Sequence, residues 1–328
     1  MTELTKKERI ASKKAFVSAE KYLSKKKYKC LYDGCKSHAI KSHSQQKNGP
    51  LRAICEEGKV FRLSDDMQRS FNVKTGEMKN EFLLKGVGES STFPGFCNEH
   101  ESMFSVFEDS GLEVDNQEQA CSLFYRTFGY EKARKRRERD RWEYIQGQLF
   151  DVFGTMPEAT KQINAFQKHI SNTCDYNLNK SLDMIQSRDF DKLSTLWFTV
   201  PHNVNISCSS VINLELDDYI GFALENPDKP IPSFSFNIIP SNDSTDIVIS
   251  WLSEFDEFAE WLRDAHENRA LFELLVNRFC FCDSEDACLN PTLWNSIENK
   301  ESFIHNMSHV VQRGYLGYGD VPTLIQLE

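Results

Sequence analysis

The feature that most constrains this chain is a pair of short spacings, Cys30-Leu-Tyr-Asp-Gly-Cys35 and, 61 residues further on, Cys97-Asn-Glu-His100. Two thiols four residues apart can grip one ion from a tight knuckle, and a Cys-x-x-His pair at a helix start supplies two more donors. Together they make a tetrahedral set for a structural Zn2+ ion. The segment holding them is small and has little apolar sequence of its own, so a module built there needs the ion to fold. His38 is an alternative fourth donor, and Cys55 is a further thiol in reach along the chain.

Charge divides the chain unequally. Residues 1–47 hold 13 Lys and Arg against 4 Asp and Glu, whereas residues 151–328 hold 11 against 27, within a net charge of −10. A basic front points to an anionic partner, nucleic acid above all, and the acidic back half points to a protein partner. The chain shows no apolar run of membrane-spanning length and no secretory pattern at its start. With ten unpatterned cysteines this predicts a cytoplasmic protein without membrane contact, whose clustered Cys and His mean metal rather than disulfide.

Periodicity predicts an α+β chain in three parts. The first, residues 1–112, is a basic zinc-binding module of treble-clef type with a hairpin insertion. It begins with an amphipathic helix over 5–27, whose apolar stripe is Ile10, Ala15, Phe16, Ala19 and Leu23. Within the insertion, Val60–Leu63 and Phe71–Val73 read as strands, and Lys74–Glu77 as a turn into a partner strand near 80–85. Glu99–Phe107 closes the module as a helix. The second part, residues 113–190, is a long helical hairpin, running from Asn116 to about Phe153 and again from a Thr155 cap and Pro157 to about Gln186. The third, residues 191–328, is an acidic mixed domain with an antiparallel sheet (194–200, 204–216, 233–239, 246–251) and helices over 255–279 and 302–311. Its tryptophans, Trp197, Trp251, Trp261 and Trp294, read as core anchors.

The motif Cys30-x4-Cys35, then Ile40-Lys-Ser42-His43-Ser, then Cys97-x-x-His100-Glu101, resembles the zinc-containing branch of the HNH, or ββα-metal, nuclease superfamily over about residues 28–108. That resemblance implies His43 as the general base of a metal-dependent endonuclease. It also implies a catalytic Mg2+ or Mn2+ ion, with Glu101 or His38 helping to hold it, and Asn72 or Asn80 as the motif's central Asn. It further suggests an accessory or effector role in prokaryotic anti-phage defence. The sequence departs from the family where Gln45-Gln46 stands in place of Ile-Pro, and where His100 replaces the second helix cysteine.

Several residues carry two readings. His43 is either a base or a brace for the knuckle. The run Lys132, Arg134, Lys135, Arg136, Arg137, Arg139 and Arg141 either tracks a phosphate backbone or faces internal acids, among them Glu131, Glu138, Asp140 and Glu143. Cys280, Cys282 and Cys288, with His305 and His309 downstream, are either a second metal site or core packing. The function predicted is a zinc protein acting on nucleic acid; the alternative is a zinc-stabilised adaptor with no catalysis.

Overall fold

A computed structural model describes residues 5–64, 71–72, 77–78, 81–213, 226, 228–313 and 321–328, with side chains of 71–72, 77–78 and 308–313 set aside. The chain opens with helix α1 (Lys6–Lys25), capped by Thr5, whose hydroxyl accepts from the Glu8 amide while Glu8 reaches back to the Thr5 amide. This reciprocal capping box satisfies two otherwise unpaired donors. Ser12, Ala15, Phe16, Ala19 and Leu23 are buried; Ile10, expected on the same stripe, is instead 47% exposed.

Next come β1 (Lys41–His43), the short helix α2 (Pro50–Ile54), β2 (Lys59–Leu63), β3 (Phe71–Asn72), β4 (Glu77–Met78), β5 (Phe82–Gly86) and β6 (Thr92–Pro94). The predicted pairings are rearranged. Phe71–Asn72 pairs with Glu77–Met78, while β5 pairs with β2. β1 and β6, not foreseen, form a separate two-stranded ladder with Ser42 opposite Phe93. A helical segment follows at once: α3 (Asn98–Glu101), a 3-10 turn (Ser102–Phe104) and α4 (Ser105–Glu108).

Helix α5 (Gln117–Phe153) has 37 residues and is capped by Asn116. At 1.5 Å per residue it is roughly 55 Å long. Residues 119–131 are buried without a break, so this half is a central core helix rather than an amphipathic one. Glycine in mid-helix costs about 1 kcal/mol against alanine, yet a Cβ at Gly129 would lie 2.8 Å from the Phe96 ring. The glycine lets the ring of Phe96, the residue before Cys97, press against the α5 backbone. Helix α6 (Pro157–His169) starts with Pro157 after Met156, so Thr155 is not its cap. It passes through a π-helical turn (Ile170–Cys174) into α7 (Asp175–Ser187), and both α6 and α7 pack back on α5 as the hairpin pattern predicts.

The remaining strands are β7 (Leu193–Val200), β8 (Ile206–Asn213), β9 (Ser233–Pro240), β10 (Thr245–Leu252) and the two-residue β11 (Cys288–Leu289). Between β10 and β11 lie a 3-10 segment (Ser253–Ala259), α8 (Glu260–Glu267), α9 (Arg269–Arg278) and a second π turn (Phe279–Asp283). After β11 come α10 (Pro291–Ser296) and α11 (Lys300–Arg313). One seven-stranded antiparallel sheet runs β5-β2-β11-β8-β9-β10-β7. The hairpin expected as filler inside the front module is thus the outer end of the large sheet. One face carries Phe234, Phe236 and Phe198 against Phe279 and Phe272. The other meets α5, where the Thr127 hydroxyl bonds Ser209 and Asn237. No described helix is long and apolar enough to cross a membrane.

Candidate metal centre

Knuckle geometry follows from backbone bonds around the first thiol pair. The Cys35 amide donates to the Tyr32 carbonyl at 3.1 Å, and the Cys30 amide to Ser37 at 2.9 Å. Gly34 supplies the left-handed step (φ +71°) that turns the chain between the two thiols, a conformation glycine adopts without a Cβ penalty. The knuckle is tied to the segment before α3 by Leu31 N–H to Gly95 at 3.0 Å and Ile40 N–H to Phe96 at 2.7 Å. Cys97 then stands as the residue preceding α3, with His100 one turn on.

The four donors converge. The sulfur and imidazole atoms of Cys30, Cys35, Cys97 and His100 all lie within 4.8 Å of one another. His100 Nδ1 is 3.2 Å from Cys97 Sγ and 3.6 Å from Cys30 Sγ, and Cys35 Sγ is 4.0 Å from Cys97 Sγ. Zinc–sulfur bonds near 2.3 Å in a tetrahedron put neighbouring sulfurs about 3.8 Å apart, so these spacings fit a Cys3His zinc site. Burial pushes the Cys30 thiol up to about 11, whereas the Ser37 backbone holds Cys35 below the usual thiol range. The Cys97 amide donates to Cys30 Sγ at 3.3 Å, and the Tyr32 ring stacks on His100 at 3.8 Å. These contacts orient the donors from outside the set.

Among the described residues no other group of three or more donors could share an ion. Cys280, Cys282 and Cys288 are buried free thiols, and His305 is exposed; the side chain of His309 lies outside the described residues. Cys55 donates to the Arg52 carbonyl, away from the cluster. His38 is exposed beside Lys29 and takes no part in it.

Beside the four Cys and His donors lies a second polar group. His43 stands on β1 and Glu101 in α3; the hydroxyl of Ser42, the residue before His43, donates to Glu101 at 2.5 Å and accepts from the Phe96 amide at 3.0 Å. His43 Nε2 is buried without a hydrogen-bond partner. Burial, then the charges of Arg126, Lys47 and Lys41, lower its pKa, so the ring is neutral at neutral pH. Burial raises the Glu101 carboxyl, and Arg126 opposes that rise. Arg126 itself is buried, paired with Glu108 and laid over the Phe107 ring at 4.5 Å. The side chain of Asn72 and all of Asn80 lie outside the described residues. Nothing in the motif marks Arg126, although an Arg inside the apolar run Leu-Phe-Tyr-Arg-Thr-Phe signals a buried partner.

Gln45, where the motif departs from the family pattern, has a partner of its own. Its side-chain amide reaches buried Asp286 at 3.0 Å, where Ser44 donates at 2.5 Å and Arg62 at 3.3 Å. The departure fastens β1 to the far end of the chain.

The basic run of α5 is half-exposed and largely paired with acids of the same chain. Lys132 pairs with Asp175 at 2.5 Å, Arg134 with Glu285 at 2.5 Å, and Lys135 with Glu131 at 3.3 Å. Arg137 and Arg141 both reach Glu20 of α1, at 3.3 and 2.7 Å; Arg141 also meets Glu138. Arg139 bonds Asp140 at 2.8 Å, and Arg136 lies over the Tyr28 ring. By contrast, Lys7, Lys14, Lys21 and Lys25 are exposed and form no ion pair among the described residues. Their spacing puts them on one stripe of α1, opposite its buried side. No protein-family model, curated protein or solved structure matches the chain.

Proposed function

We propose that this protein is a zinc-stapled nucleic-acid-binding protein whose anionic partner lies along α1 and the knuckle, not along α5. The observation carrying this reading is the difference in pairing just described. Charge already paired with a carboxylate of the same chain is less able to release counterions from a phosphate backbone than unpaired, solvent-facing lysines are. Exposed Lys29, Lys36, Lys41 and Lys47 continue the lysine surface past the zinc donors. The test is affinity for a random duplex measured against salt. Charge reversal at Lys7, Lys14 and Lys21 should weaken binding and flatten its salt slope. No measurable binding of the unaltered protein at low salt would sink this reading and favour a zinc-stabilised adaptor.

A second reading, cleavage, is favoured by one arrangement: knuckle, the β1–β6 ladder and helix α3 occur in the order expected of a zinc-containing HNH module, with His43 on β1 and Glu101 in α3. His43 would act through its unpartnered Nε2 as the base, and Glu101 would help hold Mg2+ or Mn2+. The buried Arg126 cation beside them disfavours a divalent ion there. Metal-dependent nicking of plasmid DNA that disappears in His43→Ala, with zinc content retained, would establish the activity. Unchanged nicking in that variant would remove the role.

A further inference from the structure

The exposed side of α1 carries one aromatic ring among its lysines. Tyr22 is 39% exposed, and its ring stacks on that of Tyr144 of α5, with centres 4.7 Å apart and planes 20° from parallel. Tyr144 is itself half-buried, at the rim of the small apolar cluster that joins α1 to α5. One face of the Tyr22 ring is therefore backed, and its exposure belongs to the opposite face and the rim. Lys26 meets the ring from its hydroxyl end. Its ammonium interacts with the Tyr22 hydroxyl, stands 5.5 Å from the ring centre and is held by Asp140 at 2.7 Å. Exposed Lys21 is the neighbour of Tyr22 in the chain, and exposed Lys25 lies beside it one turn further along the helix.

A bare aromatic face bordering a lysine stripe matches the two things a single strand offers, phosphate charge and unpaired bases. A duplex offers only the first to such a surface, because its bases are already stacked on one another. Resting on the nucleic-acid reading above, we infer that α1 takes a single strand. The strand's backbone follows Lys7, Lys14, Lys21 and Lys25, and one base stacks on the outer face of Tyr22. The Tyr144 ring orders this platform before the strand arrives, so little side-chain freedom is lost on binding. Glu8 and Glu20, the acids of α1, are engaged by the cap and by Arg137 and Arg141, which removes local repulsion of the phosphates. Every base has a π-face, so the contact is tolerant of sequence.

The test is fluorescence anisotropy of the full zinc-loaded chain at low salt with three DNA probes, each about 16 nucleotides long. They are a mixed-sequence strand, the same strand annealed to its complement, and a strand of abasic sites with the same backbone. The mixed-sequence strand should bind about tenfold tighter than the other two, as befits one stacked base. Tyr22→Ala should lose that factor and leave duplex binding unchanged, which also shows that the variant is folded. Tyr22→Trp, which keeps a stacking face, should retain it. Equal affinity for the three probes, or undiminished strand affinity in Tyr22→Ala, would overturn the stacking assignment and leave the nucleic-acid reading standing. Failure of the unaltered protein to bind any of the three would overturn both.

Discussion

Two basic helical segments, α1 and the middle of α5, look alike in sequence and are used in opposite ways. On α1 the lysines occupy the side away from the buried stripe, and the few acids of that helix are taken: Glu8 by the cap, Glu20 by Arg137 and Arg141. In α5 the cations are met by acids on their own helix and by Glu20, Asp175 and Glu285 from elsewhere. The lesson is that a count of Lys and Arg measures potential for binding anions only after the internal carboxylates have been subtracted. Arg suits the second use because its planar fork holds two carboxylates at once.

The sharpest way to break this comparison is to remove what orders the front region. Cys97→Ser should abolish zinc binding and expose the knuckle to proteases, while the β7–β10 part of the sheet stays protected. Structural zinc contributes on the order of 10 kcal/mol in small modules, so this is the largest effect expected. Metal analysis with hydrogen exchange reads both halves, and a fully protected, metal-free knuckle would overturn the zinc assignment. Next, Arg141→Ala should cost about 3 kcal/mol in urea denaturation, because it strands Glu20 and Glu138 around a buried space. Arg141→Met should cost less.

A third prediction asks whether the acidic back half also holds charge internally. Burial raises the Asp283 carboxyl to about 6, against the opposing pull of Arg278. A raised folded pKa means the stabilising state is the protonated one. Stability from this group is present below pH ~4 and is lost as pH rises to about 6, a change on the order of 3 kcal/mol. Asp283→Asn should flatten that slope in denaturation curves taken across the window. The smallest change in stability, within about 0.5 kcal/mol, belongs to the combined reversal of Lys7, Lys14 and Lys21 to Glu. A large loss of stability there would mean that the α1 lysines are internal after all.

Much of this was legible in the residues. The four converging Cys and His donors could be read because ligand spacing is a local property, and α1, α5 and β7–β10 because helical and β-branched patterns are local too. Other features were not readable. β1, β6 and β11 are two or three residues long, too short for any period to register. The pairing of Arg62 with Cys288 in the sheet has no trace in either segment alone, so β2 and β5 read as a local hairpin insertion. Arg126 and the paired arginines of α5 depend in part on carboxylates brought in by tertiary contact. Gln45 looked like a defect in a motif until Asp286 appeared beside it.

That last contact has a consequence for how the chain matures. Asp286 and Arg62 are 224 positions apart, and β11 beside them supplies the neighbour strand that β2 lacks on one side. During synthesis the ribosome releases Val60 and its flanks long before Cys288, so that border stays unsealed while most of the polypeptide is made. The four metal-compatible donors of the front are all made early, but that region waits for nearly the last segment to be locked in place.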